Sequence, residues 1–127
     1  MATLKEIMTS DVFTIEKGAT VADAAAGMLK SRIGSAVVMD GSWVGGIFTE
    51  RDVVRAAASG KDLASSTVAD WMTSDPITVD GSLEAEEAAE IMMANGFRHL
   101  PVLEGQTLVG IVSLRDVLRT RIRKPSA

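Results

Sequence analysis

Two stretches of this chain place a hydroxyl three residues before a carboxylate where an apolar strand pattern gives way to a helical one. They are Gly46-Ile47-Phe48-Thr49-Glu50-Arg51-Asp52 and Gly110-Ile111-Val112-Ser113-Leu114-Arg115-Asp116. Two kinds of chemistry fit that spacing. In a capping box, the hydroxyl accepts from one unpaired N–H of the first helical turn and the carboxylate reaches back to another. In a ligand site, the helix start offers free N–H groups and a positive dipole end to an anion, and the hydroxyl adds a donor. The aspartate then accepts from two ribose hydroxyls, as acidic residues do in dinucleotide sites. That second chemistry points to a nucleotide, with its sugar on Asp52 or Asp116 and a phosphate near Thr49 or Ser113. At the level of these residues both readings stand.

Other chemistries find fewer groups. With no cysteine and one histidine, His99, there is no disulfide framework, no thiolate and no imidazole cluster to hold zinc, and no metal ligand is assigned. An enzyme needs a nucleophile beside a base or a tuned acid–base pair. No such constellation and no Walker-type loop occurs, so no residue is assigned a catalytic role. His99 opens an apolar stretch and reads as a hydrogen-bonded core histidine. The net charge of -4 disfavours adhesion to nucleic acid over the whole surface, while Arg115, Arg119, Arg121, Arg123 and Lys124 make the C-terminal end locally basic. That end is either a polyanion patch or a solvated helix face. The N-terminus lacks a basic-then-apolar signal pattern and no apolar run reaches roughly 18 to 20 residues, so the expectation is a soluble cytoplasmic protein without membrane insertion.

The elements that must position the two hydroxyl–carboxylate pairs are written twice. Thr3 to Arg55 reappears as Thr67 to Arg119 at a constant offset of 64, with 17 of 53 aligned pairs identical. In each copy a short extended segment, Val12-Phe13-Thr14-Ile15 or Pro76-Ile77-Thr78-Val79, leads into a helix. The helix stripes are Val21, Ala24, Ala25, Met28 and Leu29, with Thr20-x-x-Asp23 as a capping box, and Ala85, Ala88, Ala89, Met92 and Met93. Their methionines read as core filler. Gly34 and Gly96 lie near the helix ends. Ser35–Met39 and His99–Leu103 follow as buried strands, Asp40-Gly41 and Glu104-Gly105 as turns, and Trp43–Phe48 and Leu108–Val112 as hairpin partners. Gly46 and Gly110 sit inside strands, where a missing side chain serves a bulge, tight packing or a ligand near the backbone. A final helix carries Val53, Val54 and Ala57, or Val117, Leu118 and Ile122. The fold class is α/β (α+β), a strand-helix-strand-strand-helix unit repeated, with residues 1–60 as the first repeat, 61–66 as linker and 67–127 as the second. Two copies suit one closed module with a shared core, since a unit of about 60 residues alone is marginal.

The duplicated unit, the Met-Thr-Ser-Asp opening of each copy, Phe97-Arg98-His99-Leu100-Pro101-Val102 and the Gly-Ile-x-(Thr/Ser)-x-Arg-Asp closures together resemble the cystathionine-beta-synthase (CBS) domain, in its tandem form known as a Bateman module. The resemblance covers nearly the whole chain. It implies a pseudo-twofold disc with two clefts for adenosyl compounds: AMP, ADP, ATP or S-adenosylmethionine, taken as regulatory ligands and not as required cofactors. Asp116 and Asp52 would hold ribose hydroxyls, and Ser113 and Thr49 would contact ribose or phosphate. Backbone and apolar groups of Pro76-Ile77-Thr78 and Val12-Phe13-Thr14 would enclose adenine. Arg98 aligns with Gly34, so a bidentate phosphate contact is available only in the copy of Asp116, where Arg98 reads equally as an exposed ion-pair partner. The resemblance also implies a homodimer and, as partner, a separate regulated enzyme or transporter. Two other functions are carried beside the sensor: a ligand-free dimeric docking module, and nucleic-acid binding through the basic C-terminal helix.

Overall fold

The computed structural model describes the backbone of residues 2–123 and the side chains up to Thr120. The side chains of Arg121, Ile122 and Arg123, and all of Lys124, lie outside the described residues, and with them most of the expected basic end. The elements are α1 (Leu4–Ile7), β1 (Thr14–Glu16), α2 (Val21–Ser31), β2 (Ser35–Asp40), β3 (Trp43–Thr49), α3 (Glu50–Ala58), α4 (Val68–Trp71), β4 (Thr73–Ser74), β5 (Val79–Asp80), α5 (Ala85–Asn95), β6 (His99–Glu104), β7 (Thr107–Ser113) and α6 (Leu114–Arg123). The strand-helix-strand-strand-helix order is present twice, as β1-α2-β2-β3-α3 and β5-α5-β6-β7-α6. The short helices α1 and α4 are additions to the sequence reading. No helix among the described residues is long and apolar enough to cross a membrane.

The compact units are offset from the repeats. One unit is Phe13–Pro76; the other joins the residues up to Val12 to those from Ile77 onward. They are called here the Asp52 unit and the Asp116 unit. Backbone pairing explains the offset, because the segment that opens each repeat is bonded to the last strand of the other. In the Asp52 unit Thr73 and Ser74 pair with Ile47 and Gly46. In the Asp116 unit Thr9 pairs with Ile111, and the amides of Leu4 and Lys5 donate to the carbonyls of Leu83 and Gly81.

In the Asp52 unit the sheet order is β1-β2-β3-β4, with β1 parallel to β2 and the rest antiparallel. Its core is Val21, Ala24, Met28, Val38, Phe48, Ala56 and Val68. The Asp116 unit has the order β5-β6-β7, and its core is Leu4, Ala85, Ala88, Met92, Leu100, Val102, Val112 and Val117. Leu29 and Met93, expected on the buried stripes, are instead 81% and 74% exposed. Each lies one position, about 100°, beyond the buried line of Val21, Ala24 and Met28 or of Ala85, Ala88 and Met92. Val54 and Leu118, carried on the final helices, are exposed as well.

Close packing accounts for the paired strand glycines. A Cβ on Gly110 would lie 2.9 Å from Cγ of Met8 and 3.0 Å from the Thr9 carbonyl oxygen, and one on Gly46 would lie 2.8 Å from that of Thr73. A bulge adjoins each glycine: Val38 and Val102 face Gly46 and Gly110, while Met39 and Leu103 face Val44 and Leu108, leaving Gly45 and Val109 as the extra residues. Gly110→Ala therefore forces methionine and backbone apart, and a loss of about 1–2 kcal/mol is expected in urea unfolding.

The helix ends differ between the copies. Gly96 caps α5 in the left-handed conformation at φ 71, but Arg32, not Gly34, caps α2 at φ 56. An L-residue is strained there, so Arg32→Gly should raise stability by about 0.5–1 kcal/mol after the entropy of the added glycine is counted, read as a higher urea midpoint.

Candidate functional site

In the Asp116 unit the pairing brings distant segments to one end of the sheet. β5 runs parallel to β6 with Val79 opposite Val102, and β6 runs antiparallel to β7 with His99 opposite Ser113. The start of β5, the start of β6, the end of β7 and the first turn of α6 therefore share one end, which gathers Ile77, Thr78, Arg98, Ser113 and Asp116. The amide of Leu114 donates to the Arg98 carbonyl at 2.9 Å, tying the helix start to the β6 approach. Arg98 is exposed and His99 half-buried.

Asp116 forms a complete capping box. Its Oδ2 accepts from the Ser113 amide at 2.8 Å, and its own amide donates to Ser113 Oγ at 3.1 Å. Its Oδ1 lies 3.8 Å from Nη1 of Arg119, an ion pair beyond hydrogen-bond reach. The side chain is 13% exposed. The rotamer is thus fixed through one oxygen while the other keeps accepting capacity, because a carboxylate offers about four lone-pair sites. Capping and ligand binding need not compete for the same atom.

The backbone before β5 has its own signature. In the Asp52 unit β1 starts at Thr14, and the Val37 amide donates to the Phe13 carbonyl at 2.9 Å. The corresponding residue of β6 is Pro101, which has no N–H. The bond to the Ile77 carbonyl cannot form, and β5 begins at Val79, one residue later than its counterpart. The expected extended segment Pro76–Val79 is a regular strand only from Val79 on. Sequence reasoning passed over this consequence of Pro101, although a proline inside a central strand is a legible sign of a missing ladder bond.

At the equivalent end of the Asp52 unit, Asp52 Oδ2 accepts from the Thr49 amide at 2.9 Å and from its hydroxyl at 3.3 Å. Oδ1 accepts from Nη1 of Arg55, also at 2.9 Å, and the residue is buried at 6% exposure. The Arg55 guanidinium lies 5.5 Å from the centroid of the Trp71 ring, with Lys61 Nζ at 6.0 Å. Phe13 packs into the core with its ring against Gly27. The carboxylate carbon of Glu50, first residue of α3, is 3.3 Å from where a Cβ on Gly34 would stand. Glu50 and Trp71 were not among the sequence-derived candidates; Leu114 and Ile7 occupy their places in the other copy. Thr14 and Thr78 are exposed. Val12 falls in the Asp116 unit and Pro76 in the Asp52 unit, each apart from the residues with which the sequence grouped it.

Two repeats closing on capped aspartates define the class, and the chain belongs to the CBS domain family: the family profile matches residues 4–59 and again 68–123, a tandem pair. Among its relatives, an uncharacterized 17.7 kDa protein of Acidianus ambivalens is 43% identical over 122 residues, 94% of this chain and 73% of that one. Among solved structures, a protein with CBS domains from Burkholderia ambifaria superposes with a TM-score of 0.92 at 29% identity, covering 99% of this chain and 98% of that one. The CBS domain pair of protein MJ0100, in complex with 5′-methylthioadenosine and S-adenosyl-L-methionine, has the same fold at TM-score 0.89 and 24% identity, covering 98% of each chain.

Proposed function

We propose that this protein is a non-catalytic sensor whose Asp116 unit takes an adenosyl ligand, AMP, ADP, ATP or S-adenosylmethionine. The observation that carries the reading is the state of Asp116: a carboxylate held in place by the Ser113 amide, with Oδ1 3.8 Å from Nη1 of Arg119. Such an oxygen accepts ribose hydroxyls without prior rearrangement. The Ile77 carbonyl, freed by Pro101, accepts from the exocyclic amine of adenine, and Thr78 and the half-buried Ile77 flank the base. Ser113 contacts ribose or phosphate, and Arg98 meets a phosphate. Protein MJ0100, of the same fold, forms complexes with two adenosyl compounds, which supports the ligand class. Signalling to a regulated enzyme or transporter further requires that the ligand bind two arrangements of the protein unequally.

The test is thermal unfolding with AMP, ADP, ATP, S-adenosylmethionine, NAD and adenosine. A ligand at about 100 times its dissociation constant adds about 2.7 kcal/mol to the native state, and a selective upward shift is the expected result. Arg98→Ala should weaken AMP by about 5- to 20-fold and adenosine hardly at all, since a charge-assisted bidentate contact is lost only for the phosphate. Equal losses for both would remove Arg98 from the site.

A second reading, a ligand-free homodimeric docking module, is favoured by a separate observation. Leu29 and Val54 in one unit, and Met93 and Leu118 at the corresponding positions of the other, are large apolar side chains left 52% to 81% exposed. Concentration-dependent self-association in sedimentation, together with no thermal shift by any adenosyl compound, would select this reading.

A further inference from the structure

We infer that the Asp52 site is closed to the adenosyl ligand by the chain's own atoms, so that one chain binds one ligand, at Asp116; the inference rests on the adenosyl reading proposed above. Each group that a ligand needs at the Asp52 end is met from within that unit. The Phe13 carbonyl, counterpart of the Ile77 carbonyl, already accepts from the Val37 amide at 2.9 Å. An adenine amine there must share an acceptor that already serves the sheet, with one lone pair left to it. Asp52 Oδ1, counterpart of the oxygen offered to ribose, accepts from Arg55 at 2.9 Å, against 3.8 Å for Arg119 and Asp116. Trp71 accounts for the difference, because its ring carries the Arg55 guanidinium at 5.5 Å and its carbonyl oxygen lies 3.5 Å from Arg55 Nη1. In the other copy the same position is Ile7, which offers no ring face.

The phosphate end is reversed in sign. Glu50 lies against Gly34 at the start of α3, where the other copy has Leu114 and Arg98. The exchange is concerted: glycine leaves room for the glutamate, and the cation is gone. Arg51 and Arg55 recur as Arg115 and Arg119, so they do not offset it. A carboxylate at a helix start is favourable to the helix and repels an incoming anion. Asp52 is thereby left with its capping role, and Val37, Glu50 and the Arg55–Trp71 pair set which of two nearly repeated sites is filled.

The test is calorimetric titration of the full chain with AMP and with S-adenosylmethionine. One site per chain is expected, lost in Asp116→Ala and kept with unchanged affinity in Asp52→Asn. A chain carrying Gly34→Arg, Val37→Pro, Glu50→Leu and Arg55→Met, shown by circular dichroism to be folded, should gain a second site. Two sites in the unaltered chain overturn the closure and leave the adenosyl reading in place. Binding of neither compound, and of neither ADP nor ATP in the same titration, overturns both. A folded fourfold variant that still takes one ligand overturns the assignment of closure to these side chains. If that variant does not fold, Asp52→Asn decides alone: a fall in affinity or in site number overturns the inference, and neither changing upholds it.

Discussion

Replacing Asp116 with alanine should weaken the adenosyl ligand by about 100-fold or more while costing the unliganded protein only about 1 kcal/mol. The two magnitudes have separate sources. Affinity depends on hydrogen bonds from ribose hydroxyls to a charged acceptor, worth about 1.5–3 kcal/mol each when a buried partner would otherwise go unpaired. Stability depends on the cap, which in α6 is one bond from the Ser113 amide to Oδ2; the Asp116 amide keeps its bond to Ser113 Oγ after the substitution. Calorimetry gives the first quantity and urea unfolding the second. If alanine costs the same stability yet leaves affinity intact, the aspartate is a cap alone and its assignment to the ribose is overturned. Asp52→Ala should show the opposite balance. Its carboxylate is more buried and holds Arg55, so the stability loss is larger and the ligand is indifferent.

The contrast between the two aspartates also marks what the sequence could disclose. Elements with a strong local period were legible: helices α2 and α5 from their alanine and methionine spacing, the hairpins from Asp40-Gly41 and Glu104-Gly105, and the capping boxes of α3 and α6 from a hydroxyl three residues before a carboxylate, whereas at α2 only half of the expected box forms, Thr20 Oγ1 accepting from the Asp23 amide. Features set by long-range backbone pairing were not. The four-residue helices α1 and α4 are too short to display a period, although Leu4 and Val68 are fully buried. Likewise the exchange of opening segments between repeats, with Thr9 on Ile111 and Ser74 on Gly46, leaves no trace in composition. The charge asymmetry was half legible. Arg98 against Gly34 stands out in the alignment, but the role of Glu50 emerges only once its carboxylate is seen against Gly34.

Pro101→Val should lower affinity for adenosyl ligands by about 10- to 100-fold without destabilising the fold. The Asp52 unit is the internal control, since Val37 occupies the same place in its sheet and donates its amide to Phe13 at 2.9 Å. Valine at 101 restores that donor, lets β5 begin at Thr78 and engages the Ile77 carbonyl that adenine would otherwise use. The sheet gains a hydrogen bond and a β-branched residue suited to a buried strand, so the urea midpoint should hold or rise. Loss of binding beside undiminished stability separates this effect from general damage, which lowers both. The same carbonyl should select the base: inosine monophosphate carries an acceptor where AMP carries the amine, so its affinity for the unaltered chain should fall by a comparable factor, while in Pro101→Val the two nucleotides should differ little. Equal binding of both nucleotides by the unaltered chain would show that the Ile77 carbonyl does not read the base, and the adenine assignment at this end of the sheet would have to be given up.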